Sequence, residues 1–179
     1  MERANRFNYA NMLRSLVPLV VICLAIVGWN AFRQSPDEKV HVVDPTSTVQ
    51  LAAARASYPV QAPIGLSADY RPTSARTNAG NAAQGDPVTL EVGYLTPSEE
   101  FAGFVESDDP KAGPLRRVLD GARDQGTEEV GGQTWTRSTT ERGETALSRV
   151  VGEATVVVTG SATDDELRTV AAAVRSYSG

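Results

Sequence analysis

The chain predicts an α+β protein: one N-terminal transmembrane helix, then a small extracytoplasmic domain with a mainly antiparallel sheet covered by helices. Three observations carry this. Ser15 to Phe32 is an uncharged run of 18 residues, SLVPLVVICLAIVGWNAF. Val88, Leu90, Val92 and Tyr94 alternate with polar or small residues, the period of a half-buried strand. Thr163 and Glu166 form a T-x-x-E capping box ahead of the apolar stripe Leu167, Val170, Ala171 and Val174.

The organisation expected is residues 1–14 cytoplasmic, 15–32 transmembrane, 33–45 stalk and 46–179 extracytoplasmic domain. At 1.5 Å per residue the apolar run spans roughly 27 Å, close to a bilayer's hydrocarbon thickness. Trp29 and Phe32 near its far end suit the membrane–water interface. Pro18 falls in its first turn, where a missing N–H costs little. A cleaved signal peptide would need a small-x-small site after the run, and Gly28 is followed by Trp29 and Asn30. A lipid-modified Cys23 would need small residues before it, and Val21 and Ile22 stand there instead. A helix buried in protein would need more apolar surroundings than the rest of the chain offers. Arg3, Arg6 and Arg14 precede the run; Arg33 and Lys39 follow it beside Asp37 and Glu38. That bias puts the N-terminus inside and the domain outside, a single-pass protein of the cell membrane.

Gln34 to Asp44 reads as stalk. Thr46 to Ser57 is Ala-rich and predicts a short helix stopped before Pro59. The prolines of YPVQAPIGL keep that segment extended. Tyr70 to Thr77 predicts a first strand, and Asn78 to Pro87 a loop. After the Val88–Tyr94 strand, LTPSEEFAGFVESD fits neither period cleanly. Phe101, Phe104 and Val105 are expected to be buried there, as a second extended segment. Ser107 to Pro114 is a turn-rich loop. Leu115, Val118, Leu119 and Ala122 fall at i, i+3, i+4 and i+7, predicting a helix over Pro114 to Gly126. Gly131–Gly132 is a turn before a strand centred on Trp135. Thr145 to Val151 and Ala154 to Thr159 predict a hairpin broken at Gly152, and the capped helix closes the chain.

Composition narrows the function. In residues 1–39 five cations face three acids, leaving +2 there and −7 on the remainder. An acidic domain without a basic stripe argues against nucleic acid, whose phosphates demand clustered cations. Arginine outnumbers lysine 15 to 2, a skew typical of GC-rich bacterial genomes. Cys23 is the single cysteine and lies in the apolar run, so the domain has no disulfide and no thiol nucleophile. About 140 residues still suffice for a core without staples.

No catalytic constellation emerges, so no catalytic, cofactor-binding or metal-binding residue is assigned, and the expectation is a non-enzyme without cofactors. His41, the one histidine, sits in the stalk, which leaves no base for a Ser–His–Asp triad. GLSAD at Gly65 to Asp69 lacks the second glycine of a nucleophile elbow and reads as a turn. Glu99, Glu100, Glu106, Asp108 and Asp109 are the densest acids. They lack the order of a calcium-binding loop and read as a solvated loop.

A series of short motifs follows one order along the chain. They include RFNYANMLRSLVPLVV in the opening segment, VDP at Val43 to Pro45, YPVQAP at Tyr58 to Pro63 and YRPTSAR at Tyr70 to Arg76. VGYLTP at Val92 to Pro97, FAGFVESD at Phe101 to Asp108 and GGQTW at Gly131 to Trp135 follow, then ALSR at Ala146 to Arg149 and TVVVTGSA at Thr155 to Ala162. By these the chain resembles an actinobacterial membrane family, domain of unknown function 4245. The resemblance implies a single-pass protein with one outer domain, and implies no activity and no catalytic residue. The strand ending in VVVTGSA, followed by a capped helix, also resembles the C-terminal end of Mog1/PsbP-like domains.

The function expected is therefore a non-enzymatic interaction module at the cell envelope. The bilayer holds its N-terminal helix, and an envelope protein or lipid is its partner. Tyr94, Trp135 and the acidic loop are the expected contact surface. Binding of a lipid or small envelope precursor between sheet and helices is the alternative. A hydrolase built on Glu99, Glu100 and Glu106 ranks behind both.

Overall fold

A computed structural model of the chain describes Leu16, Val17, Val20, Ile22–Leu24 and residues 41–178. The chain divides into two compact units, Met1–Val40 and His41–Gly179. In the first, the described residues are helical with exposed side chains. Among the described residues no helix is long and apolar enough to cross a membrane. Most of the expected span, the cytoplasmic segment and the stalk up to Val40 lie outside the described residues.

The second unit is α+β, as the sequence predicts. Its elements are α1 (Thr46–Arg55), β1 (Gln61–Pro63), β2 (Arg71–Thr77), β3 (Thr89–Leu95), β4 (Phe101–Ser107), α2 (Gly113–Leu119), β5 (Arg123–Val130), β6 (Gln133–Thr139), β7 (Thr145–Val151), β8 (Ala154–Gly160), α3 (Asp164–Ala172) and β9 (Val174–Ser176). Seven strands form one antiparallel sheet in the order β2-β3-β4-β8-β7-β6-β5. Two meanders, β2–β4 and β5–β8, are thus joined through the β4–β8 pair. A small second sheet pairs β1 with β9.

Sidedness follows from the period-two rule. Leu90, Val92 and Tyr94 of β3 and Phe104 of β4 face one way, with Leu147, Val156 and Val158. Val49 and Ala52 of α1 and Leu167, Val170 and Ala171 of α3 cover them. The opposite face carries a smaller core in which Leu115 of α2 meets Val105, Ala146 and Val157. The layers are therefore helices, sheet and one short helix. β8 lies between covered faces, so Val156, Val157 and Val158 are all buried.

Local chemistry places the turns and caps. Thr163 Oγ1 accepts from the Glu166 N–H and the Glu166 carboxylate accepts from the Thr163 N–H, the reciprocal capping box. Gly131 and Gly132 have φ of 62° and 74°, which a two-residue hairpin turn requires. A Cβ at Gly131 would also approach Ala172 Cα to 2.8 Å.

Three expectations are corrected. The helix expected over Pro114 to Gly126 stops at Leu119, and Arg123–Val130 joins the sheet as edge strand β5. Gly121 turns the chain with φ 71°, and beyond Ala122 only polar residues and Gly126 precede Val130, so no apolar stripe carries the helix on. Val174 belongs to β9, where pairing with Pro63 replaces a further helical turn. Phe101 is 47% exposed, whereas Phe104 and Val105 are buried as expected. Its strand runs the right way, but its ring lies on the face that α2 leaves partly bare.

Candidate functional site

The residues singled out from the sequence do not converge. Glu99 and Glu100 precede β4 and Glu106 lies near its end, so Glu100 and Glu106 are separated by roughly 20 Å of extended chain. Each acid has its own local role. Glu100 accepts from Ser161 Oγ at 2.6 Å. Asp108 accepts from the Val88 N–H and Asp109 from the Lys111 N–H, both at 2.8 Å. The expected solvated acidic loop is thus a set of turn braces plus one buried acid. Among the described residues no group of His, Cys, Asp or Glu could hold a metal ion.

Glu106 is fully buried on the face covered by α1 and α3. Both its oxygens accept from the Gln61 N–H, at 3.0 and 2.9 Å, tying β4 to β1. Burial pushes its carboxyl up to about 8, opposed by the Gln61 N–H and by the charge of Arg149. Leu90, Glu106, Val156 and Arg149 form one cross-strand row over β3, β4, β8 and β7. The Arg149 guanidinium lies 4.9 Å from the centre of the Trp135 ring and donates to Gln133 Oε1 at 2.7 Å. The Trp135 N–H and Arg149 Nε have no partner among the described residues.

Tyr94 and Trp135, expected at a contact surface, are 4% and 0% exposed. Both belong to the core beneath the helices rather than to the surface. Burial also lifts the Tyr94 phenol to about 12. His41 is exposed where the second unit begins. GLSAD is a turn, as expected: the Tyr70 N–H donates to the Ser67 carbonyl at 3.0 Å, and Gly65 has φ 81°.

The arrangement with room for a ligand is a groove on the α2 face. Register aligns Ser74, Gly93, Gly103, Thr159, Ala146 and Ser138 in one row across β2, β3, β4, β8, β7 and β6. All are small, so the row lies low in the sheet; the Phe101 ring fills it over Gly93 and Gly103, and Thr159, Ala146 and Ser138 are buried. The next row, Arg76, Glu91, Val105 and Val157, passes beneath α2. A helix of seven residues covers only part of this face. What stays open is a groove of about 350 Å³, bounded by Pro114, Arg117 and Val118 of α2, by Phe101, and by Thr140, Arg142 and Glu144 of the β6–β7 turn. Phe101 is the feature that sequence reasoning misplaced. Its ring lies over two paired glycines; a Cβ would meet it at 2.8 Å from Gly93 and 3.0 Å from Gly103. An aromatic shielding strand glycines in this way restores contacts that glycine lacks.

The groove is charged unevenly. Arg117 reaches Glu91 at 3.2 Å. Arg76 and Arg142 are exposed and make no ion pair among the described residues. Three arginines and two glutamates line it, a local excess of cations on an acidic domain.

Residues 6–174 match a family described as Protein of unknown function (DUF4245). The chain belongs to this family. No curated protein and no solved structure matches it. The DUF4245 match spans the large sheet, the three helices and every groove residue, and it ends on Val174, the first residue of β9. A family of unknown function transfers no residue role, so the DUF4245 domain's chemistry rests on its own geometry.

Proposed function

We propose that this protein is a membrane-tethered interaction module of the cell envelope, without catalytic activity, and that it engages its partner through the α2-side groove. The observation that carries the reading is the groove itself. A helix of only seven residues leaves about 350 Å³ open beside Phe101 on a sheet face, while Glu99 and Glu100, before β4, stand a strand's length from Glu106. The tether rests on the uncharged Ser15–Phe32 run, and the outward orientation on its flanking arginines.

A lipid or small-precursor ligand is the second reading. The groove lies between sheet and helix, and its volume falls at the low end of ligand pockets, about 300–1,000 Å³. Such pockets enclose most of their ligand. This groove is only partly enclosed, so it would leave much of such a ligand in water, which favours a partner surface.

The test is site-specific photocrosslinking of the full-length chain in its native membranes. A benzophenone side chain is placed at Phe101 or Val118 in the groove, and at Gln125 on exposed β5 as control. A discrete protein adduct from the groove positions alone is expected, in a membrane fraction that resists carbonate extraction. Adducts of equal yield from Gln125, or none from the groove, overturn the surface assignment. Recovery of a radiolabelled lipid adduct instead selects the second reading.

A further inference from the structure

Resting on that binding reading, we infer that the groove takes an extended acidic segment of a partner protein, about six residues long, lying across the strands with apolar side chains interspersed among its carboxylates.

Length comes from the sheet. The groove runs from Arg76 on β2 to Arg142 beyond β6, and its lining crosses β2, β3, β4 and β8 to reach the β6–β7 turn. Four strand intervals of about 4.8 Å make roughly 19 Å, which an extended chain at about 3.3 Å per residue fills with six residues.

Charge comes from the walls. Arg76 and Arg142 stand at opposite ends, and neither makes an ion pair among the described residues. Arg117 spends one contact on Glu91 and keeps other N–H groups for a ligand. The remainder of the chain beyond residue 39 carries −7. A basic segment would therefore find acids over much of the domain, whereas an acidic one is favoured where Arg76, Arg117 and Arg142 line one groove against Glu91 and Glu144. That contrast fixes position and register more than it adds affinity. Between the arginines, Phe101, Val118 and Pro114 offer apolar surface for the alternate side chains.

The other common way to bind an extended peptide is to add a strand at a sheet edge. Both edges here oppose it. β5 carries a bulge between Asp124 and Thr127 and a run of charged residues. β2 carries Pro72 and an irregularity beside it, and the Pro72 carbonyl already accepts from the Val43 N–H. Bulges, prolines and charges are how edges are closed to pairing. The face, not the edge, is left.

The test is fluorescence anisotropy with the full-length chain in detergent micelles. The probe is a fluorescein-labelled hexapeptide of alternating Glu and Val or Phe, and its comparison replaces each Glu by Lys. Binding of the Glu peptide is expected, weakening with salt and falling at least about tenfold in the double variant R76E/R142E. R123E, on the β5 edge, should leave it unchanged. No binding of the Glu peptide overturns the inference, as does equal loss in R123E or a Lys peptide that depends on the same two arginines. The photocrosslinking separates the two readings. If groove adducts form while the Glu peptide stays unbound, the occupant's chemistry is wrong and the groove stands. If neither occurs, both fail.

Discussion

Glu106 shows how one residue's role turns on its surroundings. Six residues earlier, just before β4, Glu100 is an exposed turn brace, yet Glu106 sits in the core with its proton affinity raised. The sign of its pH effect follows. An unfolded glutamate loses its proton near its ordinary 4.5, whereas the folded one keeps it to about 8. Between those values the folded state holds the extra proton, so its contribution to stability falls as pH rises through the window and is level outside it. Glu106→Gln keeps an acceptor for the Gln61 N–H and removes the ionisation. Urea midpoints should fall from pH 5 to pH 8 more steeply in the parent than in E106Q, with the variant ahead at pH 8. Parallel profiles would mean that Glu106 is ionised throughout. Phe101 makes the complementary case, an aromatic outside the core because two glycines need its cover. Phe101→Ala should cost about 1 kcal/mol in urea unfolding, from lost cross-strand contact. Neither position was legible in sequence. The period of FAGFVESD is ambiguous, and no local pattern says which side of β4 the helices cover.

At the scale of elements, much was legible. The capping box, the Gly131–Gly132 turn, the β7–β8 hairpin and the Val88–Tyr94 alternation are local patterns, and each appears where the residues put it. The box also reaches beyond its helix: Glu166 accepts from the Ser98 N–H at 3.0 Å and Ser98 Oγ at 2.7 Å, pinning the β3–β4 turn. Thr163→Ala should lower stability by about 1 kcal/mol, the usual cost of an N-cap. Glu166→Ala should cost more and increase amide exchange at Ser98, because it releases cap and turn together. If exchange at Ser98 is unchanged, the turn is held by its own bonds. The elements that were missed, β5 and β9, share one property: neither has a period of its own. β5 is polar throughout up to Val130, and β9 is three residues long. They are strands because a neighbour offers a ladder.

At the scale of the molecule, the decisive pairings are distant in sequence. β4 meets β8 across some fifty residues, and β1 meets β9 across more than a hundred. The second pairing closes the chain on itself: Val174 is buried, and the Tyr177 N–H donates to the Val60 carbonyl at 2.8 Å. Ending the chain at Ala173 removes that ladder and one buried valine. It should cost at least about 2.5–4 kcal/mol, taking about 1.5–3 for the side chain and about 1 for the Tyr177–Val60 hydrogen bond alone. Unchanged urea midpoints would show that β9 only decorates the fold.

By itself the sequence determined the α+β class, most helices and strands, their caps and turns, and the expectation of an apolar anchor. These depend on neighbours along the chain, through period, propensity and capping. It also determined membership of the DUF4245 family, through motifs in fixed order. Only the tertiary structure decided that Gly93 and Gly103 stand side by side, that Phe101 covers them, that Glu106 is sealed inside, and that Arg76 and Arg142 frame one groove. Those are facts of strand register and sheet face. A shift of one residue in pairing would turn each side chain to the other face, and nothing within a single strand records which partner it will meet.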